Sequence, residues 1–154
     1  MSTLWASGDL PPASPVPREH VLPTGAMHLV FRLSGPPLRL FDGAADHLGR
    51  TFGHVVVGGA RAVFYARDVS VPTRSVGAQL RPGAAQALFG LPADALADHH
   101  TPLDALWGGA AASALEQLHA APTPALQLDR LEALLAARLR ADGARGDGNV
   151  ACIE

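Results

Sequence analysis

With 154 residues, 48% of them hydrophobic and 17% charged, the chain has the apolar content of one packed domain and too little charge for a disordered one. Its formal net charge is −2 and its twelve basic residues are all arginines spread thinly along the sequence, which excludes a basic nucleic-acid patch. The single cysteine, Cys152, excludes an intrachain disulfide and a Cys-based zinc site, and no apolar run approaches the roughly 18 residues of a membrane span.

The first residues have neither a basic segment nor an apolar run of signal type, so a cytoplasmic location is expected. Pro11, Pro12, Pro15 and Pro17 deny regular hydrogen bonding, and residues 1–17 read as an extended arm. Trp5 on that arm is either solvated or an anchor laid back on the body.

Strand signals begin at Arg18. His20–Leu22 stops at Pro23, and Ala26–Leu33 alternates, with Met27, Leu29, Phe31 and Leu33 on one face and His28, Val30 and Arg32 on the other. Leu38–Phe41 is a short strand between turns, Thr51–Val57 a longer one ended by Gly58-Gly59, Ala62–Val69 its expected neighbour, and Arg74–Leu80 the last. Short strands separated by turns, with no crossover helices between them, predict an antiparallel sandwich or barrel.

Helical grammar follows. Pro82 opens a short helix that Gly90 closes, and Leu91-Pro92 restarts the chain for one turn through Leu96. Thr101-Pro102 and Thr123-Pro124 both read as an N-cap followed by a first helical residue, with helices expected over 110–120 and 125–140. His99-His100 is then a polar segment before a cap. From Ala141 the Gly/Asp-rich text reads as a linker over 141–154, and the apolar Val150–Ile153 suggests the opening of a further domain. The expected class is therefore α+β, an antiparallel β-barrel or sandwich over residues 18–140 followed by a C-terminal helical segment.

Candidate chemistry is sparse. Seven histidines include no H-x-H pair of the kind that places two ligands on one side of a strand, so no metal site is expected. There is no G-x-S-x-G elbow, P-loop or G-x-G-x-x-G, so no catalytic residues, no cofactor and no enzymatic activity are expected. His28 and Arg32 share one strand face, Tyr65 and Arg67 another, and Gln79 stands opposite the apolar side of its strand. Such polar groups orient a small ligand inside an open barrel, or simply face solvent on half-buried strands. Leu128, Leu131 and Leu135 form a stripe on the last helix that packs on the barrel, and Leu134 beside them widens it enough to serve a dimer.

Four stretches also occur in order: VLPTGAMHLVFRLSG (21–35), HVVVGGAR (54–61), RPGAAQALFGLPADALADHHTPLDALWG (81–108) and LDRLEALLAARLR (128–140). This set resembles the sensor half of bacterial AraC-type transcriptional regulators. The resemblance implies a cupin-like barrel that binds an effector, helices that mediate homodimerisation, and a C-terminal helix-turn-helix domain, absent from this sequence, that reads DNA. The alternative of a different class is a stand-alone cupin-like small-molecule-binding protein or enzyme. The effector itself stays unknown at this level.

Overall fold

The computed structural model describes residues 3–8 and 18–150, so the proline-rich stretch through Pro17 and the terminal residues around Cys152 lie outside the described residues. Two antiparallel sheets form the body. The larger contains strands β1 (Thr3–Ser7), β3 (Met27–Arg32), β6 (Val55–Gly58), β8 (Ser75–Leu80) and β9 (His100–Pro102), in the order β1-β8-β3-β6-β9. The smaller contains β2 (Arg18–Val21), β4 (Arg39–Phe41), β5 (Arg50–Thr51) and β7 (Tyr65–Asp68), in the order β2-β7-β4-β5. The α+β class and the antiparallel pairing agree with the sequence reading.

The period-2 pattern of β3 decides how the layers stack. Met27, Leu29 and Phe31 are all 0% exposed and join Val57, Val76, Ala78 and Leu80 in a face that packs on the helices. Each of these larger side chains contributes about 1.5–3 kcal/mol by leaving water. The opposite face of the same strand, His28, Val30 and Arg32, turns towards the smaller sheet.

The helices cover the apolar face. A 3-10 turn at Pro82–Ala84 leads into α1 (Ala85–Phe89), which stops at Gly90 in a left-handed conformation, φ 72°. After α2 (Ala93–Leu96) and α3 (Asp104–Trp107) come α4 (Gly109–Ala120) and α5 (Pro124–Val150). The Thr123 cap forms as expected: its Oγ1 accepts from the Leu126 N–H at 3.2 Å.

Several expectations are corrected. The segment read as one strand over 51–57 is two: β5 pairs with β4 in the smaller sheet, β6 with β3 in the larger. The chain changes sheet at Phe52–His54, where Gly53 sits at φ 86° and the Phe52 and Leu38 N–H groups bond the Leu38 and Gly53 carbonyls. β7 accordingly pairs with β2 and β4, not with its neighbour in sequence. His100, read as part of a polar segment, and Thr101-Pro102, read as a cap and first helical residue, form strand β9 against β6. Part of the expected N-terminal arm, Thr3–Ser7, is an edge strand on β8. Helix α5 runs to Val150, through most of the stretch over 141–154 read as a linker. No proline interrupts it, and propagation of a formed helix needs only one further bond per residue, which outweighs isolated glycines.

The leucine stripe of α5 is largely internal. Leu131 and Leu135 are 0% exposed within the chain's own core, which withdraws both from any partner-facing surface. Leu134 packs against the edge of that core, and Leu128 is half-buried. Among the described residues no helix is long and apolar enough to cross a membrane.

Candidate functional site

Between the two sheets lies a cavity of about 770 Å³. Its floor is the inward face of the larger sheet, and strand register sets out that floor in rows, because residues directly opposite on antiparallel strands point the same way. One row runs Trp5, Gly77, Val30, Val56. A second, one pleat along, joins His28, Gly58 and His100. A third joins Ser7, Ser75 and Arg32. The roof comes from the smaller sheet, including Arg18, Val21, Leu40, Tyr65 and Arg67.

Two glycines in these rows make room for rings. A Cβ on Gly77 would stand 2.5 Å from Trp5 Cζ2, so the indole lies flush over that backbone and anchors β1. A Cβ on Gly58 would stand 3.3 Å from His100 Nε2. The docked form of Trp5 is thus the one adopted.

Four of the five expected ligand residues line the cavity: His28 and Arg32 from β3, Tyr65 and Arg67 from β7. Gln79 does not. Register puts it on the same face, opposite His28, but it stands beside Thr3 at the far end of β8 from Ser75, outside the lining. Arg18, Arg61 and His100 also line the cavity and were not marked as ligand residues in the sequence. Arg61 belongs to no strand or helix, and His100 becomes a wall residue only through the pairing of β9 with β6.

The polar groups are organised at two ends. At one, Arg61 Nη1 donates to His100 Nδ1 at 2.8 Å, and the Arg61 guanidinium stands 4.7 Å from the centre of the Tyr65 ring. Tyr65 meets the His100 ring edge-on at 4.7 Å between centroids. Burial, then Arg61, then His28 hold the His100 imidazole down at about 4, so it is neutral at neutral pH. Burial raises the Tyr65 phenol, which stays protonated and able to donate. His28 is lowered by burial as well.

At the other end Arg32, 7% exposed, is lowered by burial and by Arg67, with Asp68 acting the opposite way. Glu19 engages Arg67 in an ion pair at 2.5 Å, and Asp68 accepts from Ser70 N–H and Oγ at 2.8 and 2.5 Å. Arg18 lies 3.5 Å over the Phe41 ring and donates to the Asp46 carbonyl. The lining thus holds four arginines against two carboxylates, in a chain whose formal net charge is −2. Among the described residues no group of three or more His, Cys, Asp or Glu is placed to hold a metal ion.

The profile of a family described as "Domain of unknown function (DUF6597)" matches residues 2–102. The chain belongs to the DUF6597 family. The matched span contains all nine strands of the described residues and every residue that lines the cavity, while α3, α4 and α5 lie beyond it. The DUF6597 match therefore covers the two-sheet body with its cavity, together with α1 and α2. No curated protein matches the chain significantly, and no solved structure does.

Proposed function

We propose that this chain is the effector-sensing module of an AraC-type transcriptional regulator, in which a small molecule enters the cavity between the sheets and the C-terminal helices report its presence to a DNA-reading domain. The observation that carries the reading is the cavity itself: a volume of about 770 Å³, walled by aliphatic residues with polar groups at both ends, has the size and make-up of a small-molecule site. The ordered motifs over 21–35, 54–61, 81–108 and 128–140 supply the regulator context. The DUF6597 span adds that the cavity lies within the family match.

In this reading the active form is a cytoplasmic homodimer, and Leu128 and Leu134 are the two expected leucines that keep surface for a second copy. DNA is contacted only by the separate reading domain.

Native mass spectrometry of the purified chain beside its Val30→Trp variant tests the proposal, since Val30 lies mid-floor and an indole there obstructs the middle of the cavity. A co-purified small molecule present in the first and missing from the second is the expected result. Stoichiometric metal together with turnover of a bound compound would move the chain to the enzyme class. Light scattering tests the dimer, and a strictly monomeric mass at high concentration removes it.

A further inference from the structure

The rows of the cavity floor are not alike. The middle row of the floor is apolar, with Trp5, Val30 and Val56, and Val21 and Leu40 add aliphatic surface to the roof. The ends of the cavity are cationic, and their charges are unequally answered. Arg67 has Glu19, and Arg18 has the Phe41 ring and the Asp46 carbonyl. Among the described residues neither Arg61 nor Arg32 has a carboxylate at ion-pair distance. Arg61 gives one N–H to a neutral imidazole, and its buried Nε has no hydrogen-bond partner. Arg32 is a buried cation on which Arg67 acts more strongly than the carboxylate of Asp68, and Asp68 already accepts two hydrogen bonds from Ser70.

A guanidinium removed from water is costly unless an anion or full hydrogen bonding replaces the lost hydration. A buried guanidinium at one end of an apolar chamber and a half-buried one with an orphaned Nε at the other are best accounted for by an occupant that brings the missing charge. The floor between them is of molecular length: Arg32 and His28, the strand partner of the Arg61 end, are four residues apart on β3, about 13 Å at ~3.3 Å per residue. That is far too long for an inorganic anion alone.

We infer that the cavity takes an organic anion with an apolar body, of carboxylate or sulfonate type, its charge met by Arg61 or Arg32 and its body lying over Trp5, Val30 and Val56. Arginine suits this role because its planar fork offers two parallel donors to such an oxyanion. Tyr65 adds a third donor at the Arg61 end. The inference rests on reading the cavity as a ligand site and narrows the effector to one chemical class.

Two fluorescent probes separate charge from shape: anilinonaphthalenesulfonate and its uncharged parent, phenylnaphthylamine, share an apolar body and differ by one sulfonate. The chain is expected to bind the sulfonate at least about tenfold more tightly than the parent. Arg61→Met and Arg32→Met are each expected to cut that preference several-fold, while Arg130→Met, on the exposed side of α5, leaves it unchanged. Circular dichroism checks that each variant is folded, and where one is not, the other single variant carries the comparison. Equal affinity for both probes, abolished by Val30→Trp, overturns the anion and leaves the cavity a ligand site. A preference that survives in both arginine variants also overturns it. Binding of neither probe, or binding indifferent to Val30→Trp, removes the ligand site itself.

Discussion

The hydrogen bond from Arg61 Nη1 to His100 Nδ1, 2.8 Å long, fixes the state of the imidazole, because a guanidinium can only donate and Nδ1 must therefore accept. His100 is thus the neutral tautomer with its proton on Nε2, the nitrogen that lies over Gly58. A proton added at Nδ1 breaks the bond and sets two cations face to face.

That geometry makes stability depend on acid. The His100 pKa is about 4 in the fold against 6.5 for an unperturbed imidazole, so above 6.5 its contribution is fully present. As pH falls below 6.5 the unfolded chain takes up a proton that the folded chain refuses, and stability declines until about pH 4. Across that window the loss is about 3 kcal/mol at roughly 1.4 kcal/mol per unit. His28, lowered by burial, acts in the same direction. Urea unfolding at a series of pH values should show the decline, and His100→Gln should flatten it; an unchanged slope in the variant refutes the assignment.

Gly77→Ala tests the anchoring of the edge strand. The added methyl meets Trp5 Cζ2 at 2.5 Å and the Leu29 carbonyl at 2.6 Å, so the indole must leave. The expected cost is about 1–3 kcal/mol, with a red shift of tryptophan emission. Emission that stays at the wild-type wavelength counts against the docked indole.

Neighbouring glycines should behave differently. A Cβ on Gly59 would stand 1.7 Å from the Leu96 carbonyl oxygen, whereas on Gly58 its nearest neighbour is a side-chain atom of His100 at 3.3 Å. Gly59→Ala is expected to cost about 3 kcal/mol or more and Gly58→Ala clearly less. Thermal unfolding of the pair checks the order, and the reverse order contradicts the packing of α2 on the end of β6.

Trp107 closes the last turn of α1. Its Nε1 donates to the Leu88 carbonyl at 2.8 Å, one of the orphan acceptors at a helix end, and Arg138 of α5 lies 4.3 Å over the ring. Trp107→Phe keeps an aromatic body and leaves that buried carbonyl unpaired, a cost of about 1–3 kcal/mol in chemical denaturation. A neutral result would mean that the hydrogen bond adds nothing to the aromatic packing.

The features that were legible in the sequence are those governed by near neighbours. The alternation over Met27–Leu33, the Pro82 start, the Gly90 stop and the Thr123 cap each follow from local sterics or a single turn of hydrogen bonds. Pairing partners are another matter. Nothing local tells Thr51 and Val55 that they belong to different sheets, or His100–Pro102 that β6 offers a free edge. Threonine before proline is as good a cap as it is an edge-strand end, and the ladder with β6 decided between them. Of the site, His28, Arg32, Tyr65 and Arg67 showed as polar groups on alternating strands, while Arg61, lying outside every element, carried no periodic signal.

Strand β9 is three residues long, with His100 in the cavity wall at one end and the fully buried Leu103 directly beyond the other. The Leu103 N–H is tied to the Val55 carbonyl at 3.0 Å, and Trp107 follows one turn later. The chamber and the helical layer are therefore joined by a short taut tether with no slack loop in it. The imidazole in the chamber wall and the leucine in the helical core therefore hang on one continuous piece of backbone, with no loop of irregular chain between them.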